Sequence, residues 1–260
     1  MESSSFRMPA SISLTPIKRS GIPQDAVLIK DAQTTLDASL SWRAAKPQEG
    51  CQTFFHEEHD ERRKTTRTWH CIVRNIHKDE VSFTRLWARM GKDKVENQKS
   101  YVATISRVTR ISSLAEGQAI WTLLFTYPPP MSPRVFTIFQ ASWLLQHSHK
   151  RRGIVVTLPV DLSKDKHLAE LEEKGVKGLW ASVEHLQELE GDVIEWRRIA
   201  CLDAQGFVPK FWAERKLDHR MIKETMSCIT WLKAQKEEER SHENRVENRN
   251  NHYIDGGTST

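Results

Sequence analysis

The stretch Gly206-Phe207-Val208-Pro209-Lys210-Phe211-Trp212, continued by a helical pattern to about Lys236, decides the expected fold. Pro209 suits the first turn of a helix, where its missing N–H would have had no partner, and Gly206 allows a sharp entry. Apolar residues then recur mostly at three- and four-residue spacing, which predicts one broad buried face. The members of this face are Val208, Phe211, Trp212, Ile222, Met226, Ile229 and Leu232. We therefore expect a long C-terminal helix that covers another layer of structure.

A succession of strand-like segments precedes this helix. The clearest is 118–127, where alternate residues point one way. These residues are Ala119, Trp121, Leu123, Phe125 and Tyr127. Further strands are predicted at 67–77, 101–114, 134–145, 153–160, 179–189 and 193–202, and a short helix at 83–91. Antiparallel strands with helices at both ends indicate an α+β fold, in which the sheet packs against the C-terminal helix.

Composition and periodicity divide the chain into four regions: 1–22, 23–64, 65–236 and 237–260. The first is rich in Ser, Pro and basic residues without a period, and is predicted to be disordered. The second opens with an amphipathic helix to about Trp42 and ends in a charged run from His56 to Lys64, expected to be a solvated loop. The third is the main domain, and the fourth is predicted to be a disordered charged tail.

The composition of the 260 residues narrows the class of protein. The net charge is only +5 and acidic and basic residues are interleaved, so no nucleic-acid partner is expected. No apolar run is long enough for a transmembrane helix and no signal peptide is recognised, which predicts a cytoplasmic protein. The four scattered cysteines indicate reduced thiols, and nine tryptophans indicate a bulky apolar interior, either solid or enclosing a cavity.

Five motifs carry a resemblance to a known family: Thr-Trp-His-Cys at 68–71, the short helix at 83–91, Tyr-Pro-Pro-Pro-Met-Ser-Pro-Arg-Val-Phe at 127–136, Glu-Glu-Lys-Gly-Val-Lys-Gly at 172–178 and Asp-Ala-Gln-Gly-Phe-Val-Pro-Lys at 203–210. Over roughly residues 65–236 the chain resembles the START-like, helix-grip superfamily, and within it a mainly fungal START-like domain family of unknown function. The resemblance implies a sheet wrapped around the C-terminal helix with a hydrophobic tunnel between them. Members of the superfamily bind sterols, phospholipids or other apolar molecules, and some cyclise or dehydrate polyketides. That closest family has no established reaction, so no catalytic residue is carried over.

Eight residues are predicted to line a ligand cavity: Trp121, Leu123, Phe125, His185, Trp196, Arg198, Phe211 and Trp212. The first three share one strand face, and Arg198 lies in register with Trp196 on the last strand. A buried guanidinium would need a carboxylate or phosphate partner. His185 lies in register with apolar residues of its own strand. For both polar residues, a satisfied core position remains an alternative.

Other motifs do not predict a metal or a cofactor. The histidines of His56-Glu57-Glu58-His59 are three residues apart, whereas the zinc-protease motif requires four on a helix. The pair at His147 and His149 lacks a nearby acidic or thiol cluster. Neither a phosphate-binding loop nor a nucleophile elbow occurs. The basic clusters 62–64 and 150–152 suit solvated turns, with transient contact to anionic lipid or an import signal as alternatives.

The leading functional hypothesis is the binding or carriage of an apolar small molecule, such as a lipid, sterol or polyketide, by a monomer. The first alternative is a polyketide cyclase or dehydratase of secondary metabolism, for which His185 is the candidate acid–base group. The second is a protein-interaction module whose cavity is filled. An enclosed paired His or carboxylate would favour the enzyme, an apolar cavity would favour carriage, and the lack of a cavity would favour the module.

Overall fold

The computed structural model describes residues 6–60, 65–147, 150–206 and 217–255. In chain order the helices are α1 (Asp25–Ala38), α2 (Phe83–Trp87), α3 (Lys94–Tyr101), α4 (Lys166–Ala169) and α5 (Leu217–Asp255), with a π-helical turn Ala88–Lys92 between α2 and α3. The strands are β1 (Arg43–Ala44), β2 (Cys51–Asp60), β3 (Thr65–His77), β4 (Ile105–Ala115), β5 (Gln118–Phe125), β6 (Arg134–His147), β7 (Lys150–Pro159), β8 (Val176–Lys177), β9 (Leu179–Glu188) and β10 (Val193–Asp203).

The described strands form one ten-stranded sheet in the order β1-β2-β3-β10-β9-β7-β6-β5-β4. Every neighbouring pair in this order is antiparallel, and β8 pairs in parallel with β6. Strands adjacent in sequence mostly pair with each other through short turns, as antiparallel connections allow. The α+β, helix-grip fold class predicted from the sequence is confirmed.

Both faces of the sheet are buried, and each is covered by different helices. One face packs against α5, where Leu217, Met221 and Ile222 join a cluster with Leu123 and Phe136 of the strands. The other face packs against α1. Its cluster includes Leu28, Ala32 and Leu36 together with Ala181, Val183, Ile199 and Cys201. Because side chains alternate across a strand, neighbouring residues of β9 and β10 reach opposite layers.

The segment 6–22, for which the sequence predicts disorder, instead packs against the sheet. Met8, Ile12 and Leu14 are buried in the same cluster as α1. The backbone N–H of Ile17 donates to the carbonyl of Pro159 at 3.0 Å, in a parallel bridge beside the end of β7. The spacing of these apolar residues follows neither helix nor strand period, because they fit a surface made by other elements.

The charged run beginning at His56 was expected to be a loop, but the prediction is wrong for its described part, which belongs to β2. His56 pairs with Trp69 of β3, and its ring stacks on Trp42 with centroids 5.3 Å apart. Pairing with β3 satisfies the backbone whatever the side-chain charge, so charged residues are tolerated on the partly exposed β2. Residues 61–64, including the basic cluster 62–64, lie outside the described residues.

The C-terminal helix differs from the prediction at both ends. Its described part begins at Leu217, and residues 207–216, which include Phe211 and Trp212, lie outside the described residues. The helix also continues past Lys236 to Asp255, through most of the tail predicted to be disordered. Glu and Arg, which are good helix formers, recur through residues 237–249, and neither Gly nor Pro interrupts the stretch. Helix α3 was missed because its sequence is polar, yet it contributes the buried Lys94.

Candidate functional site

A small cavity lies between α5 and the face of the sheet that it covers. Its volume is about 20 Å³. It is lined by Phe125, Phe136, Trp180, Ser182, Glu184, Arg198, Ile199, Ala200, Leu202, Leu217, Arg220, Met221 and Glu224. Such a volume holds about one water molecule. Most of the lining residues are apolar, and the charged ones lie together at one place.

The charged groups form a buried cluster around Glu184 and Arg198, which face each other across β9 and β10. The Lys94 ammonium donates to Glu184 Oε1 at 2.5 Å, and the Nε1–H of Trp196 donates to Glu184 Oε2 at 3.3 Å. Arg198 Nε lies 3.4 Å from the same Oε1. Lys94, Glu184 and Arg198 are each at most 5% exposed. Burial of three charges is tolerated only because they are paired.

Arg198 also connects the sheet to α5. Its Nη1 donates to the carbonyl of Met221 at 3.0 Å and to Thr225 Oγ1 at 2.8 Å, and its Nη2 donates to Glu224 at 3.2 Å. The guanidinium thus has carboxylates on two sides, one from the strand and one from the helix. The sequence expectation that a buried Arg198 needs a carboxylate partner holds.

The cluster controls the protonation of its members. Burial raises the pKa of Glu184, but the opposite charges of Arg198 and Lys94 outweigh it and set this pKa at about 2. Burial lowers the pKa of Lys94, and the Glu184 carboxylate opposes the shift. For Arg198, the surrounding carboxylates overcome burial and raise the pKa. Glu184 is therefore an ionised hydrogen-bond acceptor at neutral pH rather than a proton donor.

The predicted lining residues divide into groups. Phe125 and Arg198 line the cavity. Leu123 and Trp196 are buried on the same face without lining it. Trp121 lines a second, open groove of about 510 Å³ on that face. His185 lies elsewhere, and Phe211 and Trp212 are outside the described residues.

The prediction that His185 faces the cavity is contradicted by the structure. It lies on the α1 side of the sheet, where the Nε–H of Arg152 donates to its Nε2 at 3.2 Å. Burial lowers the pKa of His185 to about 3, and the positive charges of Arg152 and Arg197 act in the same direction. His185 is thus a neutral acceptor within the α1 layer. Its neighbour Glu184 occupies the cavity side instead.

Sequence reasoning also missed His70. It pairs with the cavity-lining Ala200 across β3 and β10, and directly paired residues point to the same face. Its Nε2 is buried without a hydrogen-bond partner among the described residues. Burial lowers its pKa, while Asp218 at the start of α5 opposes the shift.

A register argument could have found Glu184. The strands predicted at 179–189 and 193–202 are separated only by the short turn Glu190-Gly191-Asp192, and pairing outward from that turn places Arg198 opposite Glu184. Two opposite charges in a directly paired position indicate a cross-strand ion pair. Lys94 gives no such signal, since it belongs to a short polar helix that lies 90 residues before Glu184 in the sequence.

All three residues of the basic cluster 150–152 have partners within the protein, although Arg152 donates to the uncharged side chains of His185 and Gln33 rather than to a carboxylate. Lys150 pairs with Glu190, and Arg151 donates to both carboxylate oxygens of Glu188 at 2.8 and 2.9 Å. Among the described residues, no group of three or more His, Cys, Asp or Glu is arranged to hold a metal ion. Within the same part of the chain, no helix is long and apolar enough to cross a membrane.

Comparison with known proteins gives a family and a fold. The model of a family described as "Protein of unknown function (DUF3074)" matches residues 69–232. Human STARD10 is similar in structure at a TM-score of 0.58 and 11% identity, over 83% of each chain. Human StAR-related lipid transfer protein 5 gives 0.60 at 9% identity, over 82% of this chain and 99% of the other. The human StarD13 (DLC2) lipid transfer and protein localization domain gives 0.56 at 11% identity, over 77% and 93%. No curated protein matches the sequence.

At these identities the likeness shows the fold alone, and the fold is START-like. The resemblance to the START-like superfamily inferred from the sequence is confirmed.

Proposed function

This chain belongs to DUF3074, a family of unknown function, and we propose that it binds an apolar small molecule of the lipid class between its sheet and α5. The proposal rests on the cavity beneath α5, whose apolar walls surround one charged cluster. Ligand pockets combine such walls with a few polar groups that fix orientation. The similar human structures include one named a lipid transfer protein, which supports the same class of ligand.

The two kinds of lining would act on different parts of the ligand. Phe125, Phe136 and Trp180 remove apolar ligand surface from water, which contributes roughly 25 cal/mol per Å². Arg198 and Glu184 offer a donor and an acceptor to a polar end. Because both charges are already paired, a hydroxyl or carbonyl suits them better than a further unpaired charge.

Ligand entry requires the cavity to expand, since about 20 Å³ admits only one water. Either α5 or the side chains on its inner face must move away from the sheet. Ser182 gives the lining an unused polar group, because its buried hydroxyl has no hydrogen-bond partner among the described residues.

A titration with an environment-sensitive fluorescent fatty acid or sterol tests the proposal. We expect saturable binding of about micromolar Kd, with quenching of tryptophan emission. Ser182→Val places methyl groups in the cavity and should weaken binding about tenfold or more, since overpacking costs about 1–3 kcal/mol. Thr157→Val is the matched control. Thr157 pairs with Ser182 and also has an unpaired buried hydroxyl, but it does not line the cavity.

If Ser182→Val and Thr157→Val bind the fluorescent ligand with equal affinity, the ligand binds outside the cavity beneath α5. The small volume of the cavity favours a second candidate, the protein-interaction module without ligand. No saturable binding by any sterol, fatty acid or phospholipid would support that module. The cyclase or dehydratase alternative relied on His185, which lies on the α1 side of the sheet. The cavity does enclose a paired carboxylate, that of Glu184, but Arg198 and Lys94 hold its pKa at about 2, so it is ionised at neutral pH and has no proton to donate. We therefore favour carriage over catalysis.

A further inference from the structure

The open groove that Trp121 lines is separate from the cavity beneath α5. It lies between the π-helical turn after α2 and strands β4–β6, and none of its lining residues lines the other cavity. Its volume of about 510 Å³ falls within the range of roughly 300–1,000 Å³ for small-molecule sites. Its lining includes Trp87, Lys92, Arg110, Trp121 and Gln140.

Two tryptophans give the groove fixed apolar walls. The Trp87 ring is wedged between two glycines: a Cβ atom would come within 2.4 Å of the ring at Gly91 and within 2.2 Å at Gly153. Trp121 is covered by the guanidinium of Arg110, 4.6 Å from its ring centroid, and Arg110 is held by Glu96 at 2.9 Å. Both rings are at most 7% exposed, so each offers the groove a small, fixed apolar surface that loses little conformational entropy on binding.

Gln140 places an unused hydrogen-bonding group in this groove. It pairs with Ala119 across β5 and β6, and both residues line the groove. Its side chain is 5% exposed, and its amide, which keeps a little accessible surface, makes no hydrogen bond to the described residues. A carboxamide carries two donor hydrogens and an acceptor oxygen, and one that opens into a groove can offer both kinds of hydrogen bond to a ligand. A ligand with both a donor and an acceptor would satisfy it.

The charges around the groove balance. Lys92 and Arg110 contribute two positive charges, and Asp93 and Glu116 contribute two negative charges. The lining therefore does not favour a ligand of either sign.

We propose that this groove binds an uncharged aromatic molecule whose amide-like edge pairs with Gln140 while its rings pack against Trp87 and Trp121. The pairing uses one donor and one acceptor of the carboxamide, as side-chain amides do when they read the edge of a planar base. The site differs from the proposed lipid cavity in position and in ligand class.

Isothermal titration calorimetry with naphthalene-2-carboxamide tests the site on the full chain. We expect saturable binding to wild type below about 1 mM, and binding at least about tenfold weaker in Gln140→Leu, which removes both hydrogen bonds. Naphthalene-2-carboxylate should bind at least about tenfold more weakly than the amide, because it lacks the donor. Ala115→Trp serves as a second variant, since Ala115 is exposed at the groove and a large ring there would fill it without disturbing the core.

Loss of amide binding in Ala115→Trp, with fluorescent fatty-acid binding unchanged, would support a separate site. The proposal is overturned if wild type shows no saturable heat with the amide, or if the carboxylate binds as tightly. It is equally overturned if both variants bind the amide like wild type, or if Ser182→Val in the other cavity removes the binding. Thermal melting of each variant establishes that it is folded.

Discussion

The variant Glu184→Gln tests the buried charge cluster most severely. Glu184 is the anion shared by Lys94 and Arg198, and it also accepts from Trp196. Glutamine keeps the size of the side chain and one acceptor oxygen, but removes the negative charge. Arg198 retains Glu224, Thr225 and the Met221 carbonyl. Lys94 retains no carboxylate within 4.0 Å among the described residues, so the loss falls mainly on Lys94.

The size of the effect follows from this burial. Removing one partner of a buried ion pair leaves an uncompensated charge and costs about 3–5 kcal/mol of unfolding free energy. The fully buried Lys94 ammonium places this variant at the upper end of that range.

The loss should depend on pH with a definite sign. Burial already lowers the pKa of folded Lys94, and Glu184 opposes this, so removing Glu184 lowers the pKa further. At pH values between the lowered pKa of folded Lys94 and the ordinary lysine pKa, the folded variant then binds fewer protons than the unfolded variant. Its stability should therefore rise as the pH is raised from 7 toward about 10.

Urea unfolding followed by tryptophan fluorescence at several pH values measures both effects. Lys94→Met added to Glu184→Gln should recover most of the stability, because a buried pair is often replaceable by apolar groups. Glu190→Gln, at the exposed pair with Lys150, is the control and should show no measurable change. A loss below about 1 kcal/mol that does not vary with pH would refute the reasoning.

Three further predictions concern other layers of the molecule. Deleting residues 1–20 removes the buried Ile12 and Leu14 and should cost several kcal/mol in urea unfolding; an unchanged midpoint would show that the segment does not pack. His185→Gln should make the protein less sensitive to acid. The pKa of His185 is about 3 in the folded protein, so wild-type stability is lost as the pH falls from about 6.5 toward 3, where the unfolded chain binds a proton that the folded protein does not. Identical profiles of stability against pH for the variant and wild type would contradict this. Phe125→Ala should lower stability by about 3–5 kcal/mol and shift binding toward bulkier fluorescent sterols, and a preference unchanged from wild type would count against its role as a cavity wall.

The sequence predicts which side chains share a strand face where apolar residues recur at every second position. Trp121, Leu123 and Phe125 share the face that the sequence assigned to them, as do Trp196 and Arg198. The period of two in a strand is sufficient for that conclusion.

The same rule does not settle β9, because that strand is buried on both faces. Val183 belongs to the α1 layer and Leu186 to the α5 layer, so apolar residues occur on both sides. Alternation then cannot say which face meets α5, and His185 was assigned to the wrong one. Direct pairing with Arg198 is the stronger signal, and it selects Glu184.

The N-terminal segment and Lys94 were beyond sequence reasoning for a related cause. Ile12 and Leu14 fit a surface built by distant strands, so their spacing has no period of its own. Lys94 is buried by a carboxylate some 90 positions along the chain. Local propensity carries no information about such partners.

Native mass spectrometry asks whether an apolar molecule of the lipid class occupies the space between the sheet and α5. The protein is stripped of lipid and then incubated separately with a sterol, a fatty acid and a phospholipid. We expect a one-to-one complex with at least one of them, diminished in Ser182→Val and retained in Thr157→Val. Detection of the unliganded mass alone after all three incubations would contradict it.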